Sequence, residues 1–578
     1  MSINEIISTE FATIFNEGNP LSLADILDLL SISTTLSVTR KRDLRSAITR
    51  FASLVESTPE QLPADAKQLT PLLLNIHPAQ VGMSNKTLQN IKSNLLAALH
   101  HTKHYQQLTR KREKLSAVWL ELYTQLPDKH FHSGLSRFVH FISAHEIAPK
   151  MVNDETVQAF IKDLAENSFI QDKKLHGIHR RTTRLWNEAS TTIKDWPNQT
   201  LTVPDFRTPR TTRSLSDFPV TFQKEVEHYL DWLKDDDLLA KDRPPRKCQP
   251  RTIRLRRSQI QLAASALVKK GSDIDTVQSL TDLVQVDATK DILRHYLDGK
   301  NKATSFIRGL VITLIAIAQH WIKVPDAQLD ELKTIKHKLG SQLSGLTEKN
   351  RRTLRQFENP HNRHLLLGLP EQLISKSKTQ SKARAAITIQ LSVAIEILLM
   401  APIRMVNLIS LRFDHNLVSP SGHQGNYHLV LSEDETKNAQ PLEFQFPQQL
   451  TQLINRYRTD HLPSLINEPN AYLFPNKGSS HKSQATLSQQ IKEIVYKHTG
   501  LQLTVHQFRH LAAMFFLEAY PGQYETVRQL LGHKNLKTTT NFYTGMNTKE
   551  ATRVFDELIL GERLRLSETT HINKKRRK

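Results

Sequence analysis

The sequence predicts a mainly α-helical, multi-domain protein with one small antiparallel β-sheet late in the chain. Three observations carry that reading. Glycine is scarce, 18 of 578 residues, which favours long helices over tight turns. Apolar residues recur at i, i+3, i+4 spacing over most of the chain. Only one stretch alternates apolar and polar residues with the period of a strand. At roughly 100–200 residues per domain, the length implies three or more domains.

The first two hundred residues read as helices. Leu23, Ile26, Leu27, Leu29 and Leu30 form one stripe behind Leu21-Ser22, and Leu44, Ile48, Phe51, Leu54 and Val55 form another. Further helices are expected at Asn85–His100, Leu115–Leu126, Gly134–Ala144 and Asp154–Asn167. Thr39–Val55 and Thr252–Val268 share a basic start and an apolar end, which a duplicated module and a generic amphipathic helix explain equally. Residues 198–215, rich in Thr, Pro and Arg, read as a linker. A helix is expected at Thr221–Leu233. Then Lys241–Arg257 packs Lys241, Arg243, Arg246, Lys247, Arg251, Arg254, Arg256 and Arg257 against one acid, Asp242. The end of this run opens a helix through Ile260, Leu262, Ala263 and Leu267, an arrangement suited to phosphate contact. A solvated charged loop fits the run as well when it is taken alone. An apolar helix at Phe306–Trp321 and a polar connector at 324–345 close this region.

Two apolar helical stretches, Ala385–Met400 and Met405–Leu411, flank Ala401-Pro402-Ile403-Arg404, where Pro402 breaks the first. Next, Tyr427–Leu431 and Leu442–Phe446 alternate around the polar turn Glu433–Gln440, as in a hairpin. Helices are expected again at Pro447–His461, Thr486–Thr499, Gln507–Ala519, Tyr524–Leu531 and Thr548–Leu560. The last of these carries Ala551, Val554, Phe555, Leu558 and Ile559 on one face.

Composition narrows the function. Lys plus Arg number 78 and Asp plus Glu 57, a net charge of +21, with 38% apolar and 23% charged residues. This suits packed cores and a polyanionic partner, with nucleic acid foremost; basicity for solubility alone leaves the same trace. One cysteine, Cys248, excludes a disulfide framework and multi-cysteine metal centres, and points to a reducing cytosol. The longest apolar run, Ala385–Met400, is interrupted by Thr388, Gln390, Ser392 and Glu396 and is shorter than the ~20 residues a bilayer needs. Met1–Glu10 lacks the basic start of a secretory signal. No membrane partner is expected.

Basic and proton-handling residues gather late in the chain. Arg404 follows Pro402, and Lys437 lies in the hairpin turn. His506-Gln507-Phe508-Arg509-His510 opens a helix, with His506 and Arg509 on one face. Gly532-His533 ends a helix where glycine is expected, and Tyr543 follows ten residues later. Singly, each has an ordinary structural explanation: a surface arginine, a solvated lysine, a half-buried tyrosine. His506 and His510 have the i, i+4 spacing of metal ligands but no HExxH pattern or third ligand nearby.

In this order the residues resemble the catalytic domain of the tyrosine recombinases, the phage integrase family. The matching residues are Arg404, Lys437, His506, Arg509, His533 and Tyr543, most clearly in His506–His510 and from Leu530-Leu531-Gly532-His533 to Tyr543. Asn407 stands where the family commonly has an acid; an amide can orient neighbours but cannot offset their charge. The resemblance implies a helical core-binding domain plus a tyrosine-recombinase catalytic domain that holds the small antiparallel sheet. It suggests a division into residues 1–110 and 111–198 (helical modules without an assigned role), 199–215 (linker), 216–330 (DNA-clamping domain), 341–561 (catalytic domain) and 562–578 (basic tail).

It also implies a chemistry, with no cofactor and no metal. Tyr543 is the nucleophile, forming a 3′-phosphotyrosyl bond and freeing a 5′-hydroxyl. Arg404 and Arg509 stabilise the pentacoordinate phosphate, Lys437 is the general acid, His506 the base near the tyrosine, and His533 a phosphate donor. Double-stranded DNA is the implied partner, bound also by the cations of Lys241–Arg257. A homotetramer in the synaptic complex, with accessory DNA-bending proteins as further partners, and a bacterial cytosol or nucleoid location complete the expectation. Integration or excision of a mobile element is the implied role. Two alternatives stay open: type IB topoisomerase-like relaxation and an inactive architectural DNA-binding protein.

Overall fold

The structure, a computed structural model, describes residues 21–101, 114–206, 212–235, 237, 243–245, 247–300, 302–340, 345–420, 425–543 and 556–561. The chain divides into two compact units: Met1–Phe206 together with Gly345–Lys578, and Arg207–Ser344.

In the first unit, helices Leu23–Ile32, Val38–Leu54, Ala66–Asn75 and Asn85–His101 enclose Ile26, Leu30, Ile48, Phe51, Leu69 and Leu95. Ser22 starts the first of them: its backbone N–H donates to Asp25 Oδ2 (2.7 Å) while its hydroxyl accepts from Asp25 N, a reciprocal cap. Helices Ala117–Thr124, Lys129–Ala144, Asp154–Asn167 and Asp172–Thr192 close around Trp119, Phe138, Phe160 and Trp186. The expected linker is not free at its start. Trp186 Nε1 donates to Gln199 O (2.9 Å), and the Asn187 amide exchanges two 2.8 Å hydrogen bonds with the Leu201 backbone. One side-chain amide thus completes the backbone pairing of a Thr- and Pro-rich segment, which composition does not reveal.

The second unit packs Val220–Trp232, Pro250–Lys269, Val286–Leu297, Ser305–Ala316 and Asp326–Lys338 around Phe222, Tyr229, Ile260, Leu310 and Leu332. The expected connector at 324–345 therefore contains a helix. Leu329 and Leu332 are its only buried residues, too narrow a stripe to stand out from a polar sequence.

The region from Gly345 has its own core, built on Lys382–Met400, with 12 of 19 residues buried. By length and composition this helix and Ser305–Ile322 could each cross a membrane, which corrects the sequence expectation that no stretch is long enough. The polar residues along Lys382–Met400 are instead satisfied inside the core. Gln390 Nε2 donates to the Tyr457 hydroxyl (2.6 Å) and Ser392 Oγ to Pro370 O (3.0 Å), so no buried polar group is stranded. The sheet has three antiparallel strands in the order β1 (Leu417–Val418), β2 (His428–Leu431), β3 (Leu442–Gln445). Leu429 pairs with Phe444 and Leu431 with Leu442, and Leu429 and Leu431 point into the core. β1, two residues long, is too short to show an alternation. The Thr-rich segment before Tyr543 is helical, Leu536–Tyr543. Of the expected helix Thr548–Leu560, only 556–560 lies within the described residues, and it is helical; the rest of it and the basic tail lie outside them.

Candidate active site

Pro402 ends the Lys382–Met400 helix, and the chain runs extended through Arg404 (φ −74°, ψ 152°) into the short helix Met405–Ser410. Arg404 is thereby held at a helix start, and burial lowers its pKa. The helix Val505–Ala519 carries the next three groups. Its first turn is fixed by Gln507 Oε1, which accepts from Thr504 N (2.8 Å) and Oγ1 (2.9 Å). Residues 506, 509 and 510 then share one face.

Arg509 is 3% exposed. It donates to Leu531 O (2.5 Å) and to Pro402 O, bridging the segment before Arg404 and the end of helix Tyr524–Leu531. Burial, and next the Arg404 charge, lower its pKa to about 10. Gly532 caps that helix in the left-handed region (φ 56°), where a Cβ would also press on Leu442 at 3.0 Å. The chain can therefore turn at once into His533, whose Nδ1 lies 2.9 Å from Thr539 Oγ1. Burial, then the charges of Arg509 and Arg404, lower the His533 pKa to about 4.

Tyr543 ends the Leu536–Tyr543 helix and is 1% exposed. Its hydroxyl lies 2.9 Å from His510 Nδ1, and burial raises its pKa. His510, not His506, is thus the histidine bonded to the tyrosine. His506 stacks edge-on against His510, ring centroids 4.8 Å apart, is exposed, and has its pKa lowered by desolvation and then by Arg509 and Arg404. Burial, then His506 and Arg509, lower the His510 pKa to about 3, so its ring is neutral. His510 Nε2 is buried without a hydrogen-bond partner. The signal for His510 was present in the sequence as the residue one turn beyond His506, but spacing alone does not say which ring meets the hydroxyl.

Lys437 is exposed in the β2–β3 turn, and two amides anchor that turn. Asn407 Nδ2 donates to Glu435 O (2.8 Å), and Asn438 Nδ2 donates to Gly532 O (2.9 Å). The residue in the place of the usual acid therefore acts as a donor to a carbonyl, which an ionised carboxylate cannot do. Through Asn407 and Asn438 together, the Arg404 helix, the Lys437 turn and the His533 segment are tied to one another.

The arrangement gathers two guanidinium groups, two histidines, His510 and His533, held neutral by burial, and the exposed His506. Among the described residues, no carboxylate pairs with Arg404 or Arg509, and no group of three or more His, Cys, Asp or Glu is placed to hold a metal. A desolvated, uncompensated pair of planar cations is a site built for an anion, and for phosphate in particular.

The cations expected to contact DNA lie in the other unit. Lys241 and Arg246 fall outside the described residues. Arg243, Lys247, Arg251, Arg254 and Arg257 are exposed, with Arg257 paired to Glu227. Arg256 is turned inward and donates to Thr313 Oγ1.

Residues 370–550 match the model of the phage integrase family. No curated protein sequence matches the chain. Similar solved structures include the XerH site-specific recombinase bound to difH substrate, 13% identical, covering 57% of this chain and 96% of that one with a TM-score of 0.29. The Tn1549 transposon integrase in complex with circular intermediate DNA is 15% identical, with coverage of 56% and 93% and a TM-score of 0.32. The integrase from mycobacterium phage Brujita is 13% identical, with coverage of 57% and 90% and a TM-score of 0.22. The family match spans the residues that hold Arg404, Lys437, His506, Arg509, His533 and Tyr543, and in that region the chain is similar to the phage integrase family.

Proposed function

We propose that the protein is a site-specific DNA recombinase that cuts and rejoins strands through a 3′-phosphotyrosyl intermediate formed on Tyr543. The carrying observation is the convergence of Arg404, Arg509, His533 and the Tyr543–His510 pair in one cationic cluster within the family-matched residues.

In this reading the scissile phosphate takes the place beside Arg404 and Arg509, and its charge replaces their lost hydration. The bound phosphate's negative charge offsets the neighbouring cations that, after burial, depress the His510 pKa, and as the Tyr543 oxygen attacks phosphorus its proton passes to His510 Nδ1. The bond to the 5′-oxygen breaks, and Lys437 delivers a proton to that oxygen from the anchored turn. His533 and His506 donate to the phosphate oxygens as charge grows on them. Attack by the 5′-hydroxyl of another strand reverses each step, so the phosphoester bond energy is stored on the protein and no nucleotide cofactor is consumed. Tyr543 is buried at rest, so the Leu536–Tyr543 helix has to open toward the DNA before attack. Cleavage is thereby tied to assembly on the target.

The helical unit and the catalytic domain both bind the duplex, four protomers form the synaptic complex, and the exposed Leu558, Ile559 and Leu560 serve as a docking face between protomers. A cytosolic or nucleoid protein serving integration or excision of a mobile element fits this chemistry. The test is a suicide substrate nicked near the cleavage point. The unaltered protein should give a 3′-linked protein–DNA band on a denaturing gel, and Tyr543→Phe, which keeps the ring and its packing, should bind DNA and give none. A persistent adduct in Tyr543→Phe would overturn the assignment.

A further inference from the structure

The helix Asp172–Thr192 belongs to a module for which neither the sequence nor the catalytic chemistry supplies a role. One face is core, with Leu175, Leu185, Trp186 and Ala189 buried. The other carries Lys173, Lys174, His176, Arg180, Arg181 and Arg184, and its acids lie toward the ends, at Asp172 and Glu188. Close packing on the Lys129–Ala144 helix holds this face in place. A Cβ at Gly134 would meet Leu185 Cδ1 at 2.1 Å, so any larger residue there would have to displace that leucine.

That approach orients one of the cations: Arg181 Nη2 donates to Ser133 Oγ (2.9 Å) and His130 O (3.3 Å). A groove of about 330 Å³ opens beside it, lined by Arg180, Arg181, Arg184, His130, Gly177 and Leu185 and by one acid, Glu188. Among the described residues, none of the three arginines is paired with a carboxylate. Gly177 has open space where a Cβ would stand. A mid-helix glycine costs about 1 kcal/mol relative to alanine, and at this position it leaves the groove unobstructed. At the margin, Phe206 stacks on His176 (ring centroids 4.0 Å apart, planes within 6°) and sits 5.9 Å from the Arg180 guanidinium carbon.

We infer that this face is a second duplex-binding surface, which takes the phosphate backbone of DNA without reading its sequence. The inference rests on the DNA recombinase reading. Lys173 to Arg184 spans about 17 Å of helix, or about five nucleotides of rise along one strand. The surface is dominated by spaced point charges and bidentate donors, and the apolar Phe206 at its margin is stacked on His176. DNA outside the crossover site is the polyanion it would meet.

The experiment measures affinity of the full-length protein for a 60-base-pair duplex of arbitrary sequence between 50 and 200 mM salt. Replacing Lys173, Arg180 and Arg184 with Ala should make the log K against log salt slope shallower by about 2.7, three contacts at about 0.9 each. The advantage of the unaltered protein at 50 mM should then shrink by about 40-fold at 200 mM. Arg180→Lys with Arg184→Lys keeps the charge and should keep the slope, which guards against a folding defect in the alanine protein. An unchanged slope in the alanine variant overturns the inference, as does capture of a polyglutamate peptide by this face in place of duplex. A failed recombinase reading would show separately, as no adduct on the suicide substrate from the unaltered protein.

Discussion

Positive charge is used in two different ways in this molecule. In the catalytic domain Arg404 and Arg509 are desolvated, and Arg509 is fixed to the carbonyls of Pro402 and Leu531. On the helix Pro250–Lys269 of the other unit, Arg251 and Arg254 are exposed. A buried cation acts at one place with a large effect, because the low dielectric around it leaves its field unscreened. Exposed cations act together and are screened by salt. Under the proposed function, the first arrangement serves chemistry and the second serves encounter.

The contrast can be broken most sharply at Arg509. Its replacement by Ala should lower the single-turnover cleavage rate by about 10²–10³. Arg509→Lys should recover little, because a point charge cannot hold two carbonyls and a phosphate at once. Near-normal cleavage in the lysine variant would show that charge alone suffices.

The exposed set should respond differently. Replacing Arg251 and Arg254 with Ala should leave cleavage at saturating protein unchanged and flatten the salt slope of DNA affinity by about 1.8, roughly tenfold between 50 and 200 mM. Arg256→Ala should lower the thermal midpoint instead, since that side chain bonds Thr313 inside its own unit. A salt effect from Arg256 equal to that from Arg254 would place it on the DNA.

Asn407 sharpens the buried side. Asn407→Asp restores the family's usual acid but loses the donor to Glu435 O. Loss of one hydrogen bond to a buried group is worth about 1–2 kcal/mol, so the cleavage rate should fall by about tenfold with DNA affinity nearly unaltered. A faster Asp variant would show that the site lacks negative charge and not order.

The smallest effect concerns pH. His510 and His533 are held neutral, with folded pKa values of about 3 and about 4. Below the ordinary histidine value of 6.5 the unfolded chain therefore binds protons that the folded chain refuses. Stability is retained above pH 6.5 and falls as the pH drops toward 4. The thermal midpoint should decline from pH 7 to pH 5, and His510→Phe should decline less steeply over that interval.

Much of this was legible in the sequence. Helix Tyr524–Leu531 has the boundaries its periodicity implies, and Gly532 stands in the left-handed cap position that its place predicts. Arg404, Arg509, His533 and Tyr543 could be picked out because their order along the chain resembles that of the phage integrase family, and the structure brings them together. What could not be read depended on neighbours distant in sequence. Which histidine meets Tyr543 is decided by how Leu536–Tyr543 crosses Val505–Ala519. The work of Asn407 and Asn438 depends on carbonyls 28 and 94 residues away. The helix Asp326–Lys338 was hidden because two leucines suffice to hold it.

The most direct measurement maps the residue that carries DNA. The unaltered protein is trapped on a suicide substrate, digested with protease and nuclease, and the nucleotide-bearing peptide is sequenced by mass spectrometry. The peptide should contain Tyr543 with the 3′-phosphate on its phenolic oxygen. A nucleotide on any other side chain, or linked through its 5′-phosphate, would contradict the assignment of this buried tyrosine as the nucleophile.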